Sequence, residues 1–313
     1  MVNKNLEGFR TPLLLVGYNR PEQTAAVLGV LEALRPRVLY AVVDGPKDST
    51  EDQAKVAAVR DVILNKVTWE CDLHLKFRET NLGCGKSVAG ALEWFFSENP
   101  SGIVLEDDLV PDLSFFSFCE ELLERFRDDS RVWGIGGDNS FGAEPQDGAS
   151  YGFTRYPLIW GWASWADRWE LYDGQLTSWR ENNVSWLHAR ERKYFSRILG
   201  RLVRDGHPDT WAYPLTANVF MGNGLWVYPA QNLVTNIGFS DSATHTKNSS
   251  EPRANVASKA LQNLQHPSFV SANVDLDKSI FKRIHQRPLF VRIFRRLRTI
   301  AGGKRGRRRA ALR

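Results

Sequence analysis

The 313-residue sequence has little cysteine: Cys71, Cys84 and Cys119 are widely spaced and follow no metal-binding pattern. That excludes a disulfide scaffold and fits a reducing compartment. Long hydrophobic runs are missing too, and none approaches the ~20 apolar residues of a membrane-spanning helix. Residues 1–10 are polar and lack the apolar stretch of a secretory signal, so a cytoplasmic location is expected. Acidic residues are absent from one region altogether. Residues 281–313 hold 13 Lys or Arg and no Asp or Glu. Setting those 13 aside from the 41 basic residues leaves 28 against 36 acidic ones, so residues 1–280 carry −8 although the whole chain carries +5. The expectation is an acidic body with a basic tail, in which only the tail meets a polyanionic surface. Nucleic acid is not an expected partner, because the tail has few aromatics to stack bases.

What is present begins with an alternation of short apolar runs and amphipathic stretches. Strands are expected at residues 11–18, 38–43, 73–77, 103–105 and 132–136. Helices are expected between them, from Pro21 to the break before Pro36, then at 51–65, from the glycine-rich turn at 81–85 to about residue 97, and at 113–126. Strands alternating with helices of this length imply an α/β fold, Rossmann-like, with a mostly parallel sheet covered by helices on both faces. From Tyr151 the rhythm changes. Nine of the eleven Trp lie between Trp133 and Trp226. Trp162, Trp165 and Trp169 fall at i, i+3 and i+7, the spacing of one helix face. They are read mainly as core, with one or two indoles left to form a wall for a sugar ring. A helix over 186–204, a loop at 209–214 and a strand at 225–228 follow, and residues 246–280 look loosely structured. The division expected is 1–150, 151–250 and 251–313.

The most informative stretch is residues 102–112. An apolar strand runs into Glu106, Asp107 and Asp108, and so delivers three adjacent carboxylates to the carboxyl edge of a parallel sheet, where open α/β folds bind ligands. Adjacent carboxylates repel one another, whereas a divalent cation bridging to a phosphate removes the repulsion. The competing reading is a solvated acidic turn that caps the helix starting near Asp112. Other candidates also follow strands. Arg20 is either a diphosphate clamp or a surface residue beside a helix start. Asp44 either accepts from a base or ribose or serves the Gly45 turn. Gly83 to Ser87 lacks the first glycine of a phosphate loop, position 80 being Thr, but a glycine turn with Lys86 and Ser87 can still approach a nucleotide. Asp209 is either a general base or a solvated loop residue, and His245 is a metal ligand, a phosphate contact or neither.

Together these residues resemble the nucleotide-sugar domain of GT-A glycosyltransferases. The segment 105–112 with Phe115 and Phe116 resembles the N-acetylglucosaminyltransferase I family, and residues 157–162 and 227–245 resemble its acceptor half. Bacterial glycosyltransferase-like proteins with a similar Trp-rich segment look closer still. The resemblance spans about residues 11–246 and implies a metal-dependent, inverting transfer of a sugar, GlcNAc being one candidate, from a UDP-sugar to a glycan or lipid-linked acceptor. It implies Asp108 and His245 on Mn²⁺ or Mg²⁺, Asp107 on the ribose with Glu106 supporting it, Asp44 on uracil, and Arg20 and Lys86 on the nucleotide. It also implies Asp209 as the base and Trp160 and Trp162 toward the acceptor. The family has a richer acidic cluster near its base than the single Asp209 before Trp211, so Asp241 and Asp173 stand as reserves. A sugar nucleotidylyltransferase and a non-catalytic carbohydrate-binding protein on the same fold are the alternatives.

The tail carries its own expectation. At about 100° per residue, Leu289, Phe290, Ile293, Phe294, Leu297 and Ile300 share one arc, and Arg292, Arg295, Arg296 and Arg298 the opposite one. That is the pattern of a helix lying in an anionic membrane surface, here the inner face, rather than spanning it. The full chain is expected to float with anionic but not neutral liposomes, and a chain ending at Gln286 with neither. Equal flotation of the two chains on anionic liposomes would refute the membrane role.

Overall fold

A computed structural model describes residues 8–239, 253 and 255–285. The basic tail beyond His285, and Asp241 and His245, lie outside the described residues. The first half follows the expected alternation: β1 (Leu13–Gly17), α1 (Pro21–Leu34), β2 (Val38–Val43), α2 (Thr50–Lys66), β3 (Asp72–Phe77), α3 (Gly83–Glu98), β4 (Ser101–Glu106), β5 (Leu109–Pro111), α4 (Leu113–Arg125) and β6 (Val132–Gly136). Then come β7 (Tyr151–Thr154), β8 (Trp162–Trp165), α5 (Ala166–Trp169), α6 (Ala189–Asp205), α7 (Ala212–Met221), β9 (Leu225–Pro229), β10 (Val234–Asn236) and α8 (Val274–Ile280).

Eight strands form one sheet in the order β3-β2-β1-β4-β8-β6-β9-β7. The first four are mutually parallel. β8 runs against both β4 and β6, β9 runs with β6, and β7 runs against β9. Six strands therefore share one direction, and only β7 and β8 oppose it. The sheet is buried on both faces, which is why β1, β2 and β4 read as unbroken apolar runs. Leu13 and Leu15 of β1 face a core built with α1, α2 and α4, while Leu14 and Val16 face a second core built with α3, α6 and α7. Local chemistry sets the helix ends. Ser49 caps α2 by accepting from the Asp52 N–H, and Asp112 caps α4 by accepting from the Ser114 N–H at 2.8 Å. Among the described residues no helix is long and apolar enough to cross a membrane.

Three expectations are corrected. The Trp run is not one helix. Trp162 and Trp165 belong to β8, and they face opposite cores, Trp162 toward α3 and α7 and Trp165 toward α4. The period there is two, because β4 and β6 supply backbone partners on both sides and sheet pairing outweighs the helical spacing. The loop expected at 209–214 ends early, since α7 begins at Ala212. Pro214 does not forbid this, because the first turn of a helix has no use for its N–H. Finally, residues 255–285 pack on the body and close with α8. Buried Asp277 accepts from the Thr154 hydroxyl at 2.6 Å, the Arg155 N–H at 3.0 Å and the Arg155 guanidinium at 3.0 Å, tying α8 to the end of β7.

The indoles also set a packing limit. A Cβ on Gly134 would overlap the Trp226 ring. Gly134→Ala should therefore destabilise the fold by about 1–3 kcal/mol, a fall in melting temperature of roughly 3–10 °C for a chain of this size. An unchanged melting curve would mean that Trp226 is free to move.

Candidate nucleotide-binding cleft

Parallel strands send their carboxyl ends to one rim, and the chemistry collects there. β1 ends into Tyr18, Asn19 and Arg20, β2 into Asp44, and β4 into Glu106, Asp107 and Asp108. The amino end of α3 faces them. A cleft of about 220 Å³ lies between, bordered by Gly17, Arg20, Asp44, Lys47, Glu106, Asp107, Ser87 and Asp209, among others. Arg20, Asp44, Glu106, Asp107 and Asp209 are thus brought together from four separate segments of the chain.

The three carboxylates point to different neighbours. Asp107 accepts from the Tyr18 N–H at 3.0 Å and from the Arg20 guanidinium at 3.4 Å. Asp108 takes a second, close ion pair from the same guanidinium nitrogen. Its backbone carbonyl accepts from the Ile237 N–H at 2.9 Å, which seats the segment after β10 over it. Gly238 is required in that segment, because a Cβ would overlap the Asp108 carboxylate. Glu106 borders the cleft with no hydrogen-bond partner among the described residues. None of the three caps α4; Asp112 alone does so. One guanidinium thus opposes three carboxylates. Burial, then repulsion from Asp108 and Asp107, pushes Glu106 up to about 8. Burial, then Asp108, pushes Asp107 up to about 7 against the pull of Arg20. Burial raises Asp108 as well, again opposed by Arg20. Burial disfavours the charge of Arg20, but Asp107 and Asp108 outweigh it and raise its pKa.

Asp44 and Asp209 bind backbone. Buried Asp44 accepts from the N–H groups of Gly45 at 3.0 Å and Leu82 at 3.1 Å, and from the Asn81 amide at 3.1 Å. It thereby joins the β2 turn to the turn before α3. Asp209 reaches from the connection between α6 and α7 and accepts from the N–H groups of Cys84 at 2.8 Å and Gly85 at 2.9 Å. The Cys84 thiol between these acids is pushed up to about 12, by burial first and then by Glu106, Asp209 and Asp44.

Other expected residues are placed elsewhere. Lys86 is exposed on α3 and does not border the cleft. The lysine that does is Lys47, three positions beyond Asp44, with Nζ 5.7 Å from the centre of the Tyr18 ring. Only the rim position after a strand end marked it in the sequence. Asp52 organises this corner, accepting from the Tyr18 hydroxyl, the Asn19 amide and the Lys47 N–H, each at 2.6 Å. Trp162 is 2% exposed and lies 5.8 Å from Trp211, ring stacked on ring, so it has no face to offer an acceptor. Trp160 is half-buried beside Phe239 and Arg253, away from the cleft lining. Asp173 holds its own turn through Thr177 and Ser178.

A divalent cation fits the donor chemistry. The carboxylates offer hard oxygens, and their charge exceeds what Arg20 balances. No group of three or more His, Cys, Asp or Glu side chains is gathered for a metal among the described residues. A cation on Asp107 and Asp108 would therefore share its remaining positions with a bound phosphate or water, the usual manner of Mg²⁺.

No protein-family model matches the chain, and no curated protein does. Among solved structures it is similar to HddC from Yersinia pseudotuberculosis, with TM-score 0.29 and 11% identity over 50% of this chain and 77% of that one. It is similar to mouse xyloside xylosyltransferase 1, with TM-score 0.34 and 13% identity over 68% and 82%. It is also similar to a UDP-glucose pyrophosphorylase complexed with UDP-glucose, with TM-score 0.34 and 8% identity over 70% and 90%. The fold and the cleft together define a Rossmann-like α/β protein with an acidic pocket at the carboxyl rim of its sheet, and the functional reading rests on that pocket.

The buried charge makes stability depend on pH. The folded pKa of Glu106 lies above its ordinary 4.5, so its contribution is complete below that value and is lost as pH rises through about 8. Glu106→Gln abolishes the ionisation. Its melting temperature should rise relative to the parent chain as pH increases across that window. A difference constant with pH would remove the assignment of Glu106 as a buried, uncompensated acid.

Proposed function

We propose that this protein is a glycosyltransferase of the GT-A type that moves a sugar from a UDP-sugar to a hydroxyl of a glycan or lipid-linked acceptor. The observation that carries this reading is the meeting of Glu106 and Asp107 with Arg20 and Asp44 in one rim cleft, with Asp108 paired to the same guanidinium beside it, so that one guanidinium opposes three adjacent carboxylates. A nucleoside diphosphate with Mn²⁺ or Mg²⁺ satisfies that excess charge, and the cation supplies Lewis-acid neutralisation of the leaving diphosphate.

In this reading Asp107 and Asp108 hold the cation, joined by His245 from the segment outside the described residues. Arg20 turns part of its fork from the carboxylates to the diphosphate, a planar donor set suited to phosphate oxygens. Asp44 keeps its backbone partners and offers a remaining lone pair to the base. Lys47, rather than Lys86, supplies the second cationic side chain at the cleft. Asp209 is the base that accepts the proton of the acceptor hydroxyl as its oxygen attacks the anomeric carbon. Direct displacement of this kind inverts the anomeric centre. The basic tail adds peripheral contact with the inner membrane face, where lipid-linked acceptors are made.

The test is ligand-induced stabilisation across a panel of nucleotide sugars, with Mn²⁺ and with EDTA. A UDP-sugar should raise the melting temperature of the parent chain with Mn²⁺ and much less with EDTA. Asp108→Asn, of nearly the same shape, should fold and lose the Mn²⁺-dependent part. UDP binding indifferent to EDTA in the parent chain would refute the metal-held donor.

A further inference from the structure

The amino end of α3 opens into the cleft, and one of the chain's own carboxylates meets it. The N–H groups of Cys84 and Gly85 lie in the first turn, where a helix has no internal acceptors and carries partial positive charge. Asp209 takes one with each oxygen, at 2.8 and 2.9 Å. Two glycines make the room. Gly83 has φ +80, and a Cβ on it would overlap the Asp209 carboxylate; a Cβ on Gly85 would lie 2.7 Å from the other oxygen.

A second observation sits one turn along. Ser87 is 3% exposed and borders the same cleft, yet its hydroxyl has no hydrogen-bond partner among the described residues. A buried hydroxyl left unpaired is unfavourable, so its presence calls for an acceptor. Asp209 does not provide one, since its two oxygens lie on the two N–H groups. The turn therefore offers three donors and the carboxylate uses two. A tetrahedral oxyanion has the further oxygen. Lys47 borders the same cleft and brings a positive charge to it, whereas Arg20 is engaged by Asp107 and Asp108.

We propose that the amino end of α3 is a phosphate-binding subsite and that Asp209 is its built-in competitor. The carboxylate and a phosphate group cannot share the Cys84 and Gly85 N–H groups, so an incoming phosphate displaces Asp209. The connection bearing Asp209 is suited to that movement. Gly206, His207 and Asp209 are exposed, whereas Trp211 is buried against Trp162 and anchors the far side. Displacement also frees the Asp209 carboxylate from both N–H groups, a condition for it to reach an acceptor hydroxyl. The subsite itself needs only a phosphate group and does not depend on which nucleotide occupies the rest of the cleft.

The probe is inorganic pyrophosphate with the full chain in EDTA, followed by titration calorimetry. Asp209→Asn keeps the shape but lacks the charge that competes, and should bind pyrophosphate about tenfold more tightly, a gain of about 1.4 kcal/mol. Adding Ser87→Ala should abolish that gain without lowering the melting temperature, because the hydroxyl has no partner to lose. In the parent chain, saturating pyrophosphate should speed amide exchange over residues 206–210 while Cys84 and Gly85 stay protected. Unchanged affinity in Asp209→Asn, an ineffective Ser87→Ala, or unchanged exchange over 206–210 would each overturn the proposal. Pyrophosphate binding of the expected pattern without any UDP-sugar binding would leave the subsite standing and refute the donor reading alone.

Discussion

The constraint on which the rim depends is the crowding of negative charge at the end of β4. Glu106, Asp107 and Asp108 are adjacent in the chain and largely removed from water, and Arg20 is the guanidinium placed among them. Buried carboxylates at this spacing are tolerated only where fixed donors and cations hold them. The Tyr18 N–H and the Arg20 fork are those supports, and the Ile237 N–H holds the backbone carbonyl of Asp108 beside them. They come from the end of β1 and from the segment after β10, so the acidic stretch draws two distant parts of the chain onto one edge. The compensation is incomplete, because one guanidinium stands against three adjacent carboxylates at the edge of the cleft.

The same rim shows one residue type in two uses. Asp44 and Asp209 spend their oxygens on backbone N–H groups of the turn before α3 and of its first residues. In doing so they fix the position of that helix end relative to β2 and to the α6–α7 connection. Donor recognition at Asp44 and proton transfer at Asp209 would be built on groups that already have structural partners. The two differ in what surrounds them. Asp44 is buried between two turns, with Gly45 pressed on the Thr80 backbone, and has nowhere to go. Asp209 stands on an exposed connection, and its bonds to α3 are of the kind a phosphate can replace.

Much of the parallel half was legible from the sequence. Its central strands β1, β2 and β4 are buried on both faces and read as plain apolar runs, and its helices start at local signals such as Pro21 and Asp112. The Trp-rich half was not legible in the same way. The spacing of Trp162, Trp165 and Trp169 fits a helix, and only the presence of β4 and β6 on either side makes the first two a strand. Sugar-binding and core indoles look alike in a sequence, and burial separates them here: Trp162 is enclosed. The structured character of residues 255–285 was hidden for a related reason, since Asp277 gains its three donors from Thr154 and Arg155 at the end of β7, more than a hundred residues away.

The sequence by itself determined the order of the elements, the α/β class and the arrival of Asp44 and of Glu106 to Asp108 at strand ends. Those follow from periods of two and 3.6 and from the rule that a parallel strand opens at its carboxyl end. Tertiary structure decided which candidates share the cleft. It put Lys47 there and left Lys86 outside, and it set Asp209 on the amino end of α3. The physical reason is that such choices depend on helix rotation and on contacts between distant segments. A one-dimensional pattern records which residues can face a rim, but close packing settles which of them do.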